Sequence, residues 1–184
     1  MSVRLLSLLL FSLPLAALAQ FAELGGISTE RDQAIEFTEL RMNGLLETPL
    51  QLHGHLLYGS DGSLTKRISE PIVETVTISA TSVRMERNGK SRELSLRKAK
   101  ALAEFYRALR ALLDGDRSTI NKMFDVHQSS AEEGWSFLLL PRDKSLQKLT
   151  SRLIVSGVGK QVLEIRIEKD AQNWQVLQLN MPPT

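Results

Sequence analysis

The sequence of 184 residues contains no cysteine, and this absence limits both its chemistry and its means of stabilisation. Without cysteine the chain has no disulfide bonds, no thiolate ligands for zinc and no thiol nucleophile. It also lacks the cysteine on which bacterial lipoproteins carry their own acyl chains. A hydrophobic core must therefore hold the fold together.

Aromatic residues and blocks of one charge sign are also scarce. Aromatic residues make up 5% of the chain, and 23 Lys and Arg residues are interspersed with 21 Asp and Glu residues. The basic stretches 87–92 and 97–100 are short and contain no aromatic residue. Such stretches are typical of solvated turns and helix starts rather than of phosphate-binding surfaces. We expect no nucleic-acid partner.

One long apolar run stands at the start of the chain, in residues 1–19. It has a single early cation, Arg4, and ends in the small-x-small pattern of Ala17 and Ala19. This arrangement predicts a cleaved secretory signal peptide, with an uncleaved anchor as the alternative. We therefore expect residues 20–184 to form a single exported domain in the periplasm.

Residues that suggest catalysis or metal binding are few. His53 and His55 would share one face of a strand and could bind a metal with His127, but no His-x-x-x-His spacing accompanies them. The segment 157–161, "GVGKQ", lacks the full spacing of a phosphate loop, and no Gly-x-Ser-x-Gly motif occurs. We predict a protein that is not an enzyme and has no cofactor or metal.

Short alternating segments separated by turn residues predict an antiparallel meander. A short helix, "STERDQAI" with Thr29 as its N-cap, is expected before the first strand, "FTELRM", which ends at the Asn43-Gly44 turn. Five strands are expected between residues 50 and 96, and five more after residue 123. They read "LQLHGHLLY", "SLTKRI", "IVETVTISA", "SVRMER", "RELSL", "FDVHQSS", "GWSFLLLP", "LTSRLIVSG", "KQVLEIRIE" and "NWQVLQLN".

Between these two groups, residues 97–123 change to helical spacing. Leu102, Phe105, Leu109 and Leu112 fall on one stripe, and Gly115 is placed to end the first helix. The order of elements predicts an α+β fold in which a curved antiparallel sheet forms an open half-barrel. The two helices would close it as a lid.

These segments together resemble the outer-membrane lipoprotein carrier family, the LolA-like periplasmic chaperones. The resemblance lies in "FTELRM" with Phe37, "GHLLYGSDGSLTKRISEPIVETVTISATSVRMER" with Gly54 and Pro71, "WSFLLLPRD" with Pro141, and "LQKLTSRLIVSGVGKQVLEIRIEKD". It covers nearly all of the expected mature chain, in order. The resemblance implies an open barrel whose apolar concave face, under a helical lid, holds acyl chains.

The function implied by this resemblance is that of a non-catalytic, monomeric periplasmic carrier. Its cargo would be an acylated lipid, a glycolipid or a lipoprotein, taken from an inner-membrane donor such as an exporter and passed to an outer-membrane acceptor. A second class stays open, because a barrel of the same shape could act as an envelope sensor or binding module. Such a module would contact a membrane protein without transferring cargo.

The turn 59–62, Gly-Ser-Asp-Gly, lacks the basic residue that helps to latch the lid in other family members. This difference favours a related branch of the family, with a glycolipid, a polyketide-type lipid or another amphiphile as cargo rather than a triacylated lipoprotein. Leu64 matches the apolar position at the barrel rim that takes part in cargo uptake or transfer. The candidate lipid-binding residues are Leu52, Leu56, Leu64, Met85, Leu102, Phe105, Leu109, Leu112, Leu138 and Leu140.

Cleavage of the signal peptide is directly testable. We expect the protein isolated from the periplasmic fraction to begin at Gln20, because Ala17 and Ala19 occupy the small positions that signal peptidase recognises. N-terminal sequencing and intact-mass measurement would check this. Recovery of the chain from membranes with Met1 retained would contradict it.

Overall fold

The computed structural model describes residues 31–131, 134–159 and 161–180, without the side chains of Ser130 and Ala131. The signal peptide predicted for residues 1–19 and the helix cap predicted at Thr29 lie outside the described residues. In the described segments, no helix has both the length and the apolar character required to span a lipid bilayer.

Eleven strands and two α-helices make up the described chain, close to the segments predicted from periodicity. Helix α1 comprises Lys100–Leu113 and helix α2 comprises Arg117–Met123, while short 3-10 turns occur at Leu96–Lys98 and Leu146–Lys148. The strands β1 to β11 are Ala34–Met42, Leu50–Tyr58, Leu64–Glu70, Glu74–Ile78, Ser82–Arg87, Lys90–Ser95, Phe124–Ala131, Gly134–Pro141, Arg152–Val158, Gln161–Asp170 and Asn173–Asn180.

All eleven strands belong to one antiparallel sheet, in the order β6-β5-β4-β3-β2-β1-β11-β10-β9-β8-β7. Each half of the chain forms a meander of consecutive hairpins, and the first and last strands join the two meanders. This central pair runs in register from Glu36 opposite Asn180 to Met42 opposite Trp174. The sheet is open, with β6 and β7 as its edges, which confirms the prediction of one large antiparallel sheet.

The helices connect the two opposite edges of the sheet. Helix α1 follows β6 and ends at Asp114, where Gly115 takes the left-handed conformation with a φ of 64°. Helix α2 begins at Asp116, whose side chain accepts a hydrogen bond from the backbone N–H of Thr119 at 3.0 Å. It then leads directly into β7.

Two hydrophobic clusters lie on the same side of the sheet, which we call the inner face. The larger cluster joins both helices to β7–β10 and includes Leu112, Ile120 and Phe137. The smaller cluster lies on β1–β3 and consists of Phe37, Leu52 and Ile68. Both clusters contact Leu179 at the centre of the sheet, so the core is continuous across the two meanders.

The predicted N-terminal helix "STERDQAI" is wrong over its described residues. Arg31 and Asp32 form a turn, and β1 already begins at Ala34. The backbone N–H of Asp32 donates to the carbonyl of Tyr58 at 2.8 Å, and the carboxylate of Asp32 accepts from the N–H of Ser60 at 2.9 Å. These long-range bonds to the end of β2 override the local helical pattern.

Gly54 lies at an irregular point in the pairing of β2 with β3. The register shifts between His53 and Gly54, and a Cβ atom at position 54 would lie 2.0 Å from the carbonyl oxygen of Arg67. Because this oxygen belongs to the backbone, the neighbouring strand cannot yield without losing its pairing. Glycine is therefore required for β2 and β3 to pair at this point.

We predict that Gly54→Ala destabilises the protein by about 2 kcal/mol or more, because the new Cβ would overlap the Arg67 carbonyl. Gly44→Ala is the matched control, since its Cβ would meet only a side-chain atom of Gln172, at 3.5 Å. Urea unfolding curves of both variants would measure the effect. Equal stability of the two variants would contradict the prediction.

Candidate functional site

A cavity of about 310 Å³ lies between the inner face of the sheet and helix α1. Paired residues of neighbouring antiparallel strands point to the same side, so the register extends one face across several strands. The lining residues come from β1–β4, α1 and β9–β11. They are Ile35, Arg41, Leu56, Leu57, Tyr58, Leu64, Thr65, Lys66, Val76, Ile78, Phe105, Leu109, Leu112, Leu113, Val155, Val162, Ile165, Ile167, Gln175, Leu177 and Leu179.

Helix α1 presents two different surfaces to the sheet. Ala108, Ala111 and Leu112 are buried in the larger core cluster, against the half of the sheet formed by β7–β10. Phe105 and Leu109 are only half-buried and line the cavity. The helix is therefore anchored in the core on one side and forms a wall of the cavity on the other, and Leu112 contributes to both.

Hydrogen bonds also hold α1 to the hairpin between β2 and β3. The hydroxyl of Tyr106 donates to the carbonyl of Gly62 at 2.8 Å, and the hydroxyl of Tyr58 donates to Asp114 at 2.5 Å. Arg31 bridges Asp114 and the carbonyl of Ser60. Burial, together with the bond to Asp114, raises the pKa of Tyr58 above its usual value.

These contacts supply the connection that the sequence of the 59–62 turn did not indicate. The turn at residues 59–62 has no basic residue. In the structure the turn offers a backbone carbonyl, and the helix supplies the donor through Tyr106. A carbonyl is available at any turn residue, so the turn sequence could not reveal this interaction.

Charged residues occupy one part of this otherwise apolar cavity. The carboxylate of Glu39 is fully buried and accepts hydrogen bonds from Arg41 Nε, at 2.8 Å, and from Lys66 Nζ. Lys66 Nζ also lies 4.9 Å from the ring centroid of Phe37. Burial lowers the pKa of Lys66 to about 8, and the negative charge of Glu74 offsets part of this decrease. Lys66 is therefore mostly protonated at neutral pH.

Five of the residues chosen from the sequence line the cavity together, and five do not. Those that line it are Leu56, Leu64, Phe105, Leu109 and Leu112. The others are absent from the cavity wall: Leu52, Met85, Leu102, Leu138 and Leu140.

The positions of these five have simple geometric reasons. Leu52 is buried in the smaller core cluster, whereas Met85 lies on β5, towards the sheet edge, with 42% of its surface exposed. Leu102 belongs to the first turn of α1 and is half-buried outside the cavity. Leu138 and Leu140 alternate with the buried Phe137 and Leu139 and so point to the outer face of β8.

Several cavity residues were not singled out from the sequence. The most notable are Arg41 and Lys66, followed by the aliphatic residues of β10 and β11 such as Ile165 and Leu177. Alternation alone marks one face of β11, but only its pairing with β1 places that face beside the cavity. The ion pair between Glu39 and Lys66 could not be predicted from the sequence, because the two residues are far apart in the chain.

The histidines at positions 53 and 55 point away from the cavity, to the outer face. His53 shares hydrogen bonds with Thr38 and Gln51, both at 3.3 Å, and His55 lies 3.8 Å from a carboxylate oxygen of Glu36. No group of three or more His, Asp or Glu side chains placed to hold a metal occurs in the described part of the chain. The outer face at this point is a polar surface.

An open antiparallel sheet with an apolar cavity beneath a helix defines the structural class of this protein. Residues 20–177 match the family model described as "Outer membrane lipoprotein carrier protein LolA-like". The chain therefore belongs to the LolA-like family. No curated protein sequence matches it at a significant level.

The solved structures that align with this chain share little sequence with it. A LolA superfamily protein, NE2245 from Nitrosomonas europaea, is 10% identical with a TM-score of 0.44, and the match covers 90% of this chain and 91% of that one. LprF from Mycobacterium bovis is 11% identical with a TM-score of 0.36 and the same coverage. The MucA/MucB complex of Pseudomonas aeruginosa gives 14% identity, a TM-score of 0.37 and coverage of 91% and 57%.

The two surfaces of α1 predict different effects of the same substitution. Leu112→Ala removes a core side chain that is 7% exposed and should destabilise the protein by about 2–5 kcal/mol. Leu109→Ala removes a half-buried side chain outside the core cluster and should cost less than half as much. Urea unfolding would measure both, and equal losses would contradict the distinction between the buried and the half-buried positions of α1.

Proposed function

We propose that this protein is a non-catalytic periplasmic carrier that binds the acyl chains of a lipid or lipidated cargo and shuttles it towards the outer membrane. The observation that supports this most strongly is the apolar cavity of about 310 Å³ beneath α1. Membership of the LolA-like family supports a carrier role in the periplasm. In this proposal residues 20–184 form one domain, α1 and α2 serve as its lid, and membrane proteins act as donor and acceptor.

The energetics of acyl-chain transfer explain why such a cavity is needed. Burial of each methylene is worth about 0.8 kcal/mol, so a chain of about a dozen methylenes gains on the order of 10 kcal/mol in an apolar environment. Leu56, Leu64, Ile78 and Leu109 give the cavity an aliphatic wall. An acyl chain leaving a bilayer would thus exchange one apolar environment for another.

The volume of the cavity favours cargo with a small apolar part. Ligand cavities usually measure about 300–1,000 Å³, and this one is at the lower end of that range. It suits one acyl chain better than the several chains of a fully acylated lipoprotein. The cavity volume therefore supports a glycolipid or another amphiphile as the cargo, which the sequence of the turn at residues 59–62 also favours.

Opening of the cavity would begin at the contacts between α1 and the β2–β3 hairpin. The bond from Tyr106 to the carbonyl of Gly62 is worth about 1 kcal/mol, and the bond from Tyr58 to the carboxylate of Asp114 about 1.5–3 kcal/mol. The opposite surface of α1 stays packed in the core through Ala108 and Ala111. We therefore propose that the lid opens by a small movement of α1 away from the hairpin, without leaving the core.

Leu64→Glu tests the carrier proposal at the cavity wall. Leu64 is half-buried, pairs with Tyr58 and Ile78, and lines the cavity. A carboxylate at this position would oppose an acyl chain in an apolar cavity, so we expect loss of binding of a fluorescent acyl probe. Because the position is only half-buried, the expected loss of stability is about 1 kcal/mol or less.

Leu94→Glu is the matched control for this variant. Leu94 pairs with Val83 on the edge hairpin, is 45% exposed and does not line the cavity. It should bind the probe as the unmodified protein does. Unfolding of Leu64→Glu would show that Leu64 is a core residue, and normal binding and transfer by a folded Leu64→Glu would contradict the proposal. Failure of the unmodified protein to bind any acyl probe would favour a sensor or binding module.

A further inference from the structure

Arg41 and Lys66 extend from the inner face of the sheet into a cavity whose wall is otherwise almost entirely apolar. They belong to β1 and β3, which flank β2. Between them lies the fully buried carboxylate of Glu39, with 0% of its surface exposed. Buried charges that serve only stability are often replaceable by apolar residues, so a group of three in a cavity suggests a binding role.

The backbone at Gly54 allows this group to form. Neighbouring strands are about 4.8 Å apart, so side chains on β1 and β3 must reach across β2 to meet. Gly54 on β2 pairs with Phe37 on β1 and with Ile68 on β3, and it has no side chain to obstruct the space. Lys66 reaches over this position to Glu39 and lies against the ring of Phe37.

Arg41 is held in a way that leaves its guanidinium able to bind a ligand. Its Nε atom donates to Glu39 at 2.8 Å, which fixes the plane of the group. Within residues 31–131, 134–159 and 161–180, neither Nη atom of Arg41 donates a hydrogen bond, and 34% of the side chain is exposed. A guanidinium positioned in this way can bind a carboxylate or phosphate through two parallel hydrogen bonds.

The charges around the cavity do not cancel. Glu74 interacts electrostatically with Arg41 and Lys66, and its carboxylate lies 3.7 Å from Arg87 Nη1. Because Glu74 is paired with Arg87, which lies outside the cavity wall, the group of Arg41, Lys66 and Glu39 carries one net positive charge. A ligand with one negative charge would balance it.

The position of this charge relative to the aliphatic wall gives the bound molecule a direction. Strands rise about 3.4 Å per residue, so Arg41 lies roughly 20 Å along β1 from Ile35. Ile35 pairs with Leu56, close to the aliphatic Leu64 and Ile78. The guanidinium of Arg41 and the aliphatic residues around Leu56 therefore lie at opposite ends of the cavity. Lys66 pairs with Leu56, and its side chain extends from the aliphatic end towards Glu39.

We propose that Arg41 and Lys66, positioned by Glu39, bind the anionic head group of an amphiphile whose acyl chain lies against the aliphatic end of the cavity. The head group is an oxyanion, a carboxylate or a phosphate monoester, on a single-chain lipid. This inference rests on the proposed carrier function and adds to it the charge of the cargo. Uncharged lipids of the same chain length would bind less tightly.

A comparison of matched probes tests this inference on the unmodified protein. Fluorescence titration with a polyene fatty acid, such as cis-parinaric acid, and with its methyl ester would compare one chain with and without a charge. We expect the acid to bind about tenfold more tightly than the ester. In competition, dodecyl phosphate should displace the acid at a lower concentration than dodecanol does.

Substitution of Arg41 identifies the residue that recognises the charge. Arg41→Gln retains a donor towards Glu39 but removes the charged fork, so the affinity for the acid should fall to that for the ester, while ester binding stays within about twofold. Lys66→Met is the second variant, and its acid affinity should also fall towards that of the ester. Arg84→Gln removes the same charge and serves as the control. Arg84 lies on the outer face, paired with Glu86, so this substitution should alter neither affinity.

The outcomes separate this inference from the carrier proposal. Equal binding of acid and ester by the unmodified protein would overturn the head-group inference and leave the carrier proposal intact. The same holds if inorganic phosphate displaces the acid as effectively as dodecyl phosphate does, because the group would then be a site for free anions. Binding of neither probe would contradict the carrier proposal and this inference together.

Discussion

The pairing of β1 with β11 is the interaction on which the rest of the structure depends. It joins the two meanders into one sheet, and it places Glu39 opposite Leu177 and Arg41 opposite Gln175. The aliphatic residues of the C-terminal meander thereby face the charged residues of the N-terminal one. Without this pair there would be two separate small sheets, each with an uncovered apolar face and no common cavity.

The periodicity of the sequence was sufficient to predict most of the elements, because each strand and each helix follows a local rule. Alternation identified the strands after β1, and the helical stripe with Gly115 identified α1 and its end. The local rule failed at Asp32, where bonds to Tyr58 and Ser60 from a distant hairpin determine the conformation. Local patterns are reliable where local interactions dominate, and this segment is tied to another part of the chain.

The residues that line the cavity were harder to predict from the sequence, because they depend on which face of each strand is turned inwards. On β8, Leu138 and Leu140 were predicted from the sequence to bind lipid, but they lie on the outer face. The residues that face inwards are their neighbours Phe137 and Leu139, one position away. The group formed by Glu39, Arg41 and Lys66 depends on register across three strands and on the missing side chain at Gly54. Such relations exist only after the strands have paired.

The order of the strands also has a consequence for the synthesis of the chain. β1 is the first strand to leave the ribosome, and its partner β11 is the last, although both lie at the centre of the finished sheet. Until β11 emerges, β1 presents an unpaired edge with the apolar Ile35, Phe37 and Leu40. Closure of the sheet must wait for a contact between the first and the last of the described strands, and pairing over such a long stretch of sequence tends to slow folding and to prolong the exposure of strand edges.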